Sequence, residues 1–308
     1  MQNVDKDWKI SVLLQNDFNI LTELNFIGMK KIMILLLTIV LLVGCDNTKR
    51  QYESIVKTLE LSDSLSLETI KKAHLMISEA NNFTPEQAID LQERFTCYVS
   101  AYAQKEAQQI EEKYTTILSS EDSENIDTQI DSLNTSVEPL REYGIIIYSA
   151  EGYIESEVMP MYVAQLFWNY LSEAERELAK LAELEVEHPS LQDASITISY
   201  QELADRLKVC DDMATNFPKD KLYQQIKACQ KFYLALLLAG ADNSATFDWE
   251  TKKLNPEVRQ TVINYIAEHP DAESTKTLKE FMAIMKRSNY QSSAESDIFL
   301  LNKISTEE

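Results

Sequence analysis

Glycine is almost missing from most of this chain, and that scarcity limits the fold more than any motif does. The 264 residues from Cys45 to Glu308 (308 less the first 44) contain only Gly144, Gly152 and Gly240. Tight hairpins and sharp turns draw on glycine for their positive-φ positions, so a large antiparallel sheet is excluded. In its place, apolar residues recur three and four apart through long stretches of helix-forming residues, as an amphipathic helix requires. The expected fold is all-α: a helical bundle followed by an array of helical hairpins, with one small β-hairpin.

Residues 45–65 are expected to form a tether and a first helix, with Asp46–Gln51 polar and Tyr52, Ile55, Val56 and Leu59 on one face. A helical bundle then spans 66–143. Ser66 is placed to cap a helix carrying Leu67, Ile70, His74 and Ile77. Thr84-Pro85-Glu86-Gln87 combines an N-cap, a proline at the first helical position and a glutamine that closes a capping box. The stripe Ala88, Leu91, Phe95, Tyr98, Tyr102 continues to Ile117, which predicts a helix of thirty residues or more. Ile126, Ile130, Leu133, Val137 and Leu140 follow at heptad spacing, and Pro139 should end or kink that element.

Residues 144–157 differ from their surroundings. Three consecutive isoleucines, Ile145 to Ile147, precede Tyr148 and the loop Ser149-Ala150-Glu151-Gly152, with Tyr153 and Ile154 beyond. β-Branched side chains lose rotamer freedom in a helix and suit a pleated surface. The segment reads as a β-hairpin between bundle and array, with a buried helix as the alternative. Its outward residues Tyr148, Glu151 and Tyr153 are the expected partner contacts.

A helical array is expected over 158–290, with a polar, loosely held tail over 291–308. Helix ends recur at Glu187-His188-Pro189, Asn216-Phe217-Pro218 and Glu268-His269-Pro270, and Ser199 and Asn255 sit where they can cap new helices. These proline-punctuated hairpins resemble tetratricopeptide-type arrays, although the prolines lie 29 and 52 residues apart (189, 218, 270) in place of a fixed repeat of about 34. That resemblance implies an interaction surface and carries over no functional residue.

Met29 to Cys45 read MKKIMILLLTIVLLVGC. Two lysines precede an apolar run, Ile32–Val43, that is too short for a hydrocarbon core of about 30 Å at about 1.5 Å per residue. The run closes on Leu42-Val43-Gly44-Cys45, which resembles the lipobox of bacterial lipoproteins. The resemblance implies that 29–44 are a signal peptide and that Cys45 is lipidated, which anchors the chain to a membrane of the cell envelope. Residues 1–28 carry Lys6 and Lys9 against Asp5, Asp7, Asp17 and Glu23. This acidic stretch makes a poor extension of the signal peptide and reads as a mis-set start or a leader.

The chain has 29 basic and 50 acidic residues. Four of each precede Cys45, which leaves 25 against 46 in the lipidated form. Such a field repels phosphate backbones, so nucleic acid is not an expected partner. Cys97, Cys210 and Cys229 form no C-x-x-C pair and read as thiols of the core. His74 lies on an apolar face, while His188 and His269 sit at helix C-termini, where a cation suits the helix dipole. No zinc-protease, phosphate-loop, dinucleotide or nucleophile-elbow motif occurs. The loop Asp242–Asp248 is rich in oxygen ligands but lacks the glycine and terminal glutamate of a calcium-binding EF-hand loop. Neither a cofactor nor a metal is expected. Two functional readings follow: a membrane-anchored, non-enzymatic helical scaffold for an envelope protein, or a small-ligand receptor or enzyme with a carboxylate-lined pocket.

Overall fold

The computed structural model describes residues 46–60, 65–80, 82–118, 135–150 and 153–304. The signal-peptide segment, Cys45, the Ile126–Leu133 part of the heptad seam and Glu151 lie outside the described residues. Among the described residues helices predominate, joined by loops and three two-stranded antiparallel sheets, so the fold is all-α with a small β-hairpin. The chain divides into two compact units between Val186 and Glu187.

In the first unit α1 (Asp46–Glu60), α2 (Leu67–Glu79) and α3 (Pro85–Leu118) pack together. Helix α1 begins at Asp46, so the expected tether over 46–51 is already helical. Ser66 has the extended backbone of an N-cap, and its Oγ accepts from the Thr69 N–H at 3.2 Å. The capping box of α3 is complete. The Gln87 N–H donates to Thr84 Oγ1 at 3.3 Å, and the Thr84 N–H donates to Gln87 Oε1 at 3.0 Å. From that start α3 runs for 34 residues, and its stripe of Ala88, Leu91, Phe95, Tyr98 and Tyr102 is buried against Ile55, Ile70 and Ile77.

Pro139 lies in the first turn of a 3-10 helix, Glu138–Tyr143, which ends at Gly144 in the left-handed region (φ 70, ψ 25). Strands β1 (Ile145–Ala150) and β2 (Tyr153–Val158) form the expected hairpin, paired from Ile145–Val158 to Ala150–Tyr153. The Met159 N–H donates to the Gly144 carbonyl at 2.7 Å and closes its base. The hairpin lies along α3, inside the first unit.

Helices α4 (Pro160–Leu166) and α5 (Glu173–Glu187) also belong to this unit rather than to the expected array over 158–290. A 3-10 turn, Trp168–Tyr170, separates them. The break comes from a second capping box, in which Ser172 and Glu175 exchange backbone-to-side-chain bonds of 3.2 and 2.5 Å and start a new helix.

The second unit contains α6 (Tyr200–Asn216), α7 (Tyr223–Ala239), α8 (Pro256–Glu268), α9 (Glu273–Arg287) and α10 (Ala294–Ile304). The Phe217-Pro218 turn folds α7 back on α6. Leu203, Leu207, Cys210, Ile226, Tyr233, Leu236 and Leu237 are buried in this unit. The expected polar tail is corrected, because α10 packs on α7 and α9 with Ser296 and Leu300 buried. Ser293 starts it by accepting from the Ser296 N–H at 3.3 Å.

Two very short hairpins, β3–β4 (Leu191–Gln192, Ser195–Ile196) and β5–β6 (Gly240–Ala241, Ser244–Ala245), complete the unit. They are tied together by the Asn243 N–H on the Ala194 carbonyl (2.9 Å) and the Ile196 N–H on Ser244 Oγ (2.9 Å). Gly240 has φ 78 and ψ −154, a region essentially reserved for glycine.

Candidate interaction surface

The hairpin carries the residues expected to meet a partner. Period-2 alternation sends Ile145 and Ile147 inward with Val158, and all three join the core of the first unit. Tyr148, Glu155, Glu157 and Tyr153 share the opposite face. The structure therefore places Tyr148 and Tyr153 together, with Tyr153 65% exposed and Tyr148 half-buried. Burial and the neighbouring Glu157 and Glu155 carboxylates raise the Tyr148 hydroxyl above its usual range. It stays a neutral donor, 3.5 Å from Glu155 Oε2. A rooted strand pair of this kind offers an exposed aromatic without the entropy cost of ordering a loose loop.

The aromatic clusters along the helices serve the core. Phe167, Phe232 and Tyr233 are buried, and the Tyr170 hydroxyl accepts from the Phe83 N–H at 3.0 Å. Trp168 is flanked by Arg176 and Lys180, 5.0 and 5.8 Å from its ring. His74 Nδ1 lies 2.9 Å from the Tyr162 hydroxyl, and burial lowers its pKa. It is thus a satisfied, half-buried histidine. His269 ends α8 with its ring edge-on to Tyr265, and the His188 carbonyl accepts from Arg206. No disulfide links the described cysteines: Cys210 is buried, Cys229 half-buried and Cys97 exposed, so Cys97 is not the core thiol expected.

The oxygen-rich loop is engaged internally. Asp242 and Asn243 form the β5–β6 turn, and Asn243 Nδ2 donates to the Asp193 carbonyl at 2.8 Å. Asp248 accepts from the Thr251 N–H at 2.6 Å and from its hydroxyl at 2.7 Å, bonds that hold its carboxyl below the usual carboxylate range. Among the described residues, no group of three or more potential metal ligands gathers.

Asp211, 1% exposed on α6, is the only buried carboxylate among the described residues. It accepts from the Gln230 amide, the Tyr265 hydroxyl (2.5 Å), and the Ser274 N–H (3.2 Å) and hydroxyl (2.8 Å). Helix α9 begins after Ala272, which has no side chain to cap it, so Asp211 fills that role from another helix. Lys227 extends the cluster by bonding Gln230 and Glu273. Both oxygens of Asp211 are saturated by the fold, and burial raises the Tyr265 hydroxyl so that it remains a donor. This carboxylate is built to join helices, not to line a pocket.

Two exposed features escaped the sequence reading. Trp249, 77% exposed, stands at the tip of the Asp248–Lys253 turn. A shallow groove between α8 and α9 is lined by Ile263, Ile266, Lys279, Met282, Ala283 and Lys286. The groove had a legible signal: Lys276, Lys279 and Lys286 lie three and seven residues apart, on the face of α9 away from its buried Leu278, Phe281 and Met285. Comparison with protein-family models, curated proteins and solved structures finds no match to this chain.

Proposed function

We propose that this chain is a membrane-anchored envelope lipoprotein that acts as a non-enzymatic, helical protein-binding scaffold. The lipobox-like Leu42-Val43-Gly44-Cys45 supports the anchor. Lipidation at Cys45 would hold the body at a membrane surface through its acyl chains. One observation carries the scaffold reading. The hairpin of β1 and β2 is fixed to the core by Ile145, Ile147 and Val158 and offers Tyr153 to solvent. Rigid exposed aromatics are the residues on which protein interfaces concentrate their binding energy.

The alternative, a carboxylate-lined pocket, has Asp211 as its strongest candidate, and four donor groups already occupy that carboxylate. A photo-crosslinking amino acid at Tyr153 tests the scaffold. Irradiation of native membranes should yield one discrete crosslinked protein, absent when the probe stands at the buried Ile145. Products identical at both positions overturn the reading. The anchor is tested by Cys45→Ala, which should abolish fatty-acid labelling and leave uncleaved precursor.

A further inference from the structure

We propose that the groove between α8 and α9 binds an acidic amphipathic helix of a partner protein. The inference rests on the scaffold reading and gives it a partner class and a second contact site. The groove floor is apolar, formed by Met282 (5% exposed), half-buried Ile266 and Ile263 (37% exposed). Ala283, also in the lining, is exposed and has only a methyl group, so a third helix can approach the pair closely. Helices α8 and α9 are joined through the short His269-Pro270 turn and present side by side the two ridges that cradle an added helix.

Charge identifies the occupant. Lys276, Lys279 and Lys286 fall on the same side of α9 as Ala283 by the 3.6-residue repeat. None of the three has a carboxylate within 4.0 Å among the described residues. The acids that α9 does carry are engaged elsewhere, Glu273 by Lys227 at 2.5 Å and Glu280 by Lys303 at 3.3 Å. A net-acidic chain of −21 thus keeps one apolar strip edged with uncompensated positive charge. Apolar residues at i, i+3 or i+4 and i+7 would fill the floor, and flanking Asp or Glu would meet the lysines. Rim charges of this kind set partner choice and association rate. An anionic bilayer is disfavoured because the remaining surface repels it.

The test is selection of a phage-displayed random peptide library on the full chain. Enriched peptides should combine the helical apolar period with Asp or Glu, and the best of them should bind as a synthetic peptide. Lys279→Glu with Lys286→Glu should weaken that binding at least tenfold with an unchanged circular dichroism spectrum. Ala283→Trp, which fills the groove at constant charge, should weaken it as much. Enrichment of peptides without the acidic, apolar pattern overturns the proposal, as does binding indifferent to these substitutions. So does lysine-dependent adhesion to phosphatidylglycerol vesicles in place of peptide. Crosslinking through Tyr153 reads the hairpin alone, so an empty crosslink with groove binding intact, or the reverse, separates failure of the scaffold reading from failure of this one.

Discussion

Replacing Asp211 by asparagine keeps the shape of the side chain and removes its charge. The cheapest orientation turns the new amide NH₂ toward Tyr265, whose hydroxyl can rotate to accept, and leaves the remaining oxygen to Gln230 and Ser274. Hydrogen bonds to a charged group contribute roughly 1.5–3 kcal/mol and neutral ones roughly 0.5–1.5. Over the three partner residues this difference of about 1–1.5 kcal/mol each amounts to about 3–4.5 kcal/mol, with the start of α9 also losing its anionic cap. Asp211→Ala orphans all three and should cost about 4–5 kcal/mol. With a urea slope of about 2 kcal/mol/M, the midpoint for the second unit should fall by about 1.5–2 M for asparagine and about 2–2.5 M for alanine. Hydrogen exchange read at Ser274 and Thr275 locates the effect, and these amides should lose protection first. An asparagine variant within about 0.3 M of the parent would show that the charge contributes no stability and refute the argument.

Gly240→Ala should destabilise the second unit by at least about 2 kcal/mol, since φ 78 with ψ −154 suits no other residue and a Cβ there would overlap the Ser244 carbonyl and Thr246; a thermal midpoint equal to that of the parent would contradict this. His74 gives acid sensitivity. Its folded pKa lies below the ordinary histidine value of 6.5, so below that pH the unfolded chain takes up a proton that the fold resists, and stability falls as pH drops. His74→Gln should flatten the urea midpoint between about pH 6.5 and 5 relative to the parent. On the alkaline side, burial pushes Tyr102 up to about 12 from 10.0. Its contribution is complete below about pH 10 and disappears as pH climbs toward 12, so Tyr102→Phe should resist alkaline unfolding better than the parent.

The parts of the fold that were legible are those decided within four residues. Ser66, the Thr84–Gln87 box, Asn255 and the three prolines at 189, 218 and 270 mark helix ends because capping and proline chemistry act locally. The isoleucine run revealed the hairpin for the same reason. Ser199 was legible in the same way: its hydroxyl accepts from the Glu202 N–H at 3.1 Å, while the Glu202 carboxylate accepts from Arg206 at 2.6 Å. Composition misled at the end of the chain, where serines that suggested a loose tail are capping α10. Asp211 was hidden because its partners at 230, 265 and 274 are joined to it only by the fold. The unit boundary was hidden likewise, since helical spacing does not say which neighbour a helix packs against.

The cap that Asp211 supplies also imposes an order in time. Ser274 follows it by 63 residues and Tyr265 by 54. A chain threaded across a membrane N-terminus first, as the proposed signal peptide requires, frees α6 before either partner has emerged. During that interval the Asp211 carboxylate has only Gln230 of its three partner residues, so closing α6 on α7 ahead of the rest would bury it with most of its hydrogen-bonding capacity unmet. The second unit therefore commits to its fold only after α9 has emerged, and a nascent chain stalled short of Ser274 should remain open to proteases and chaperones.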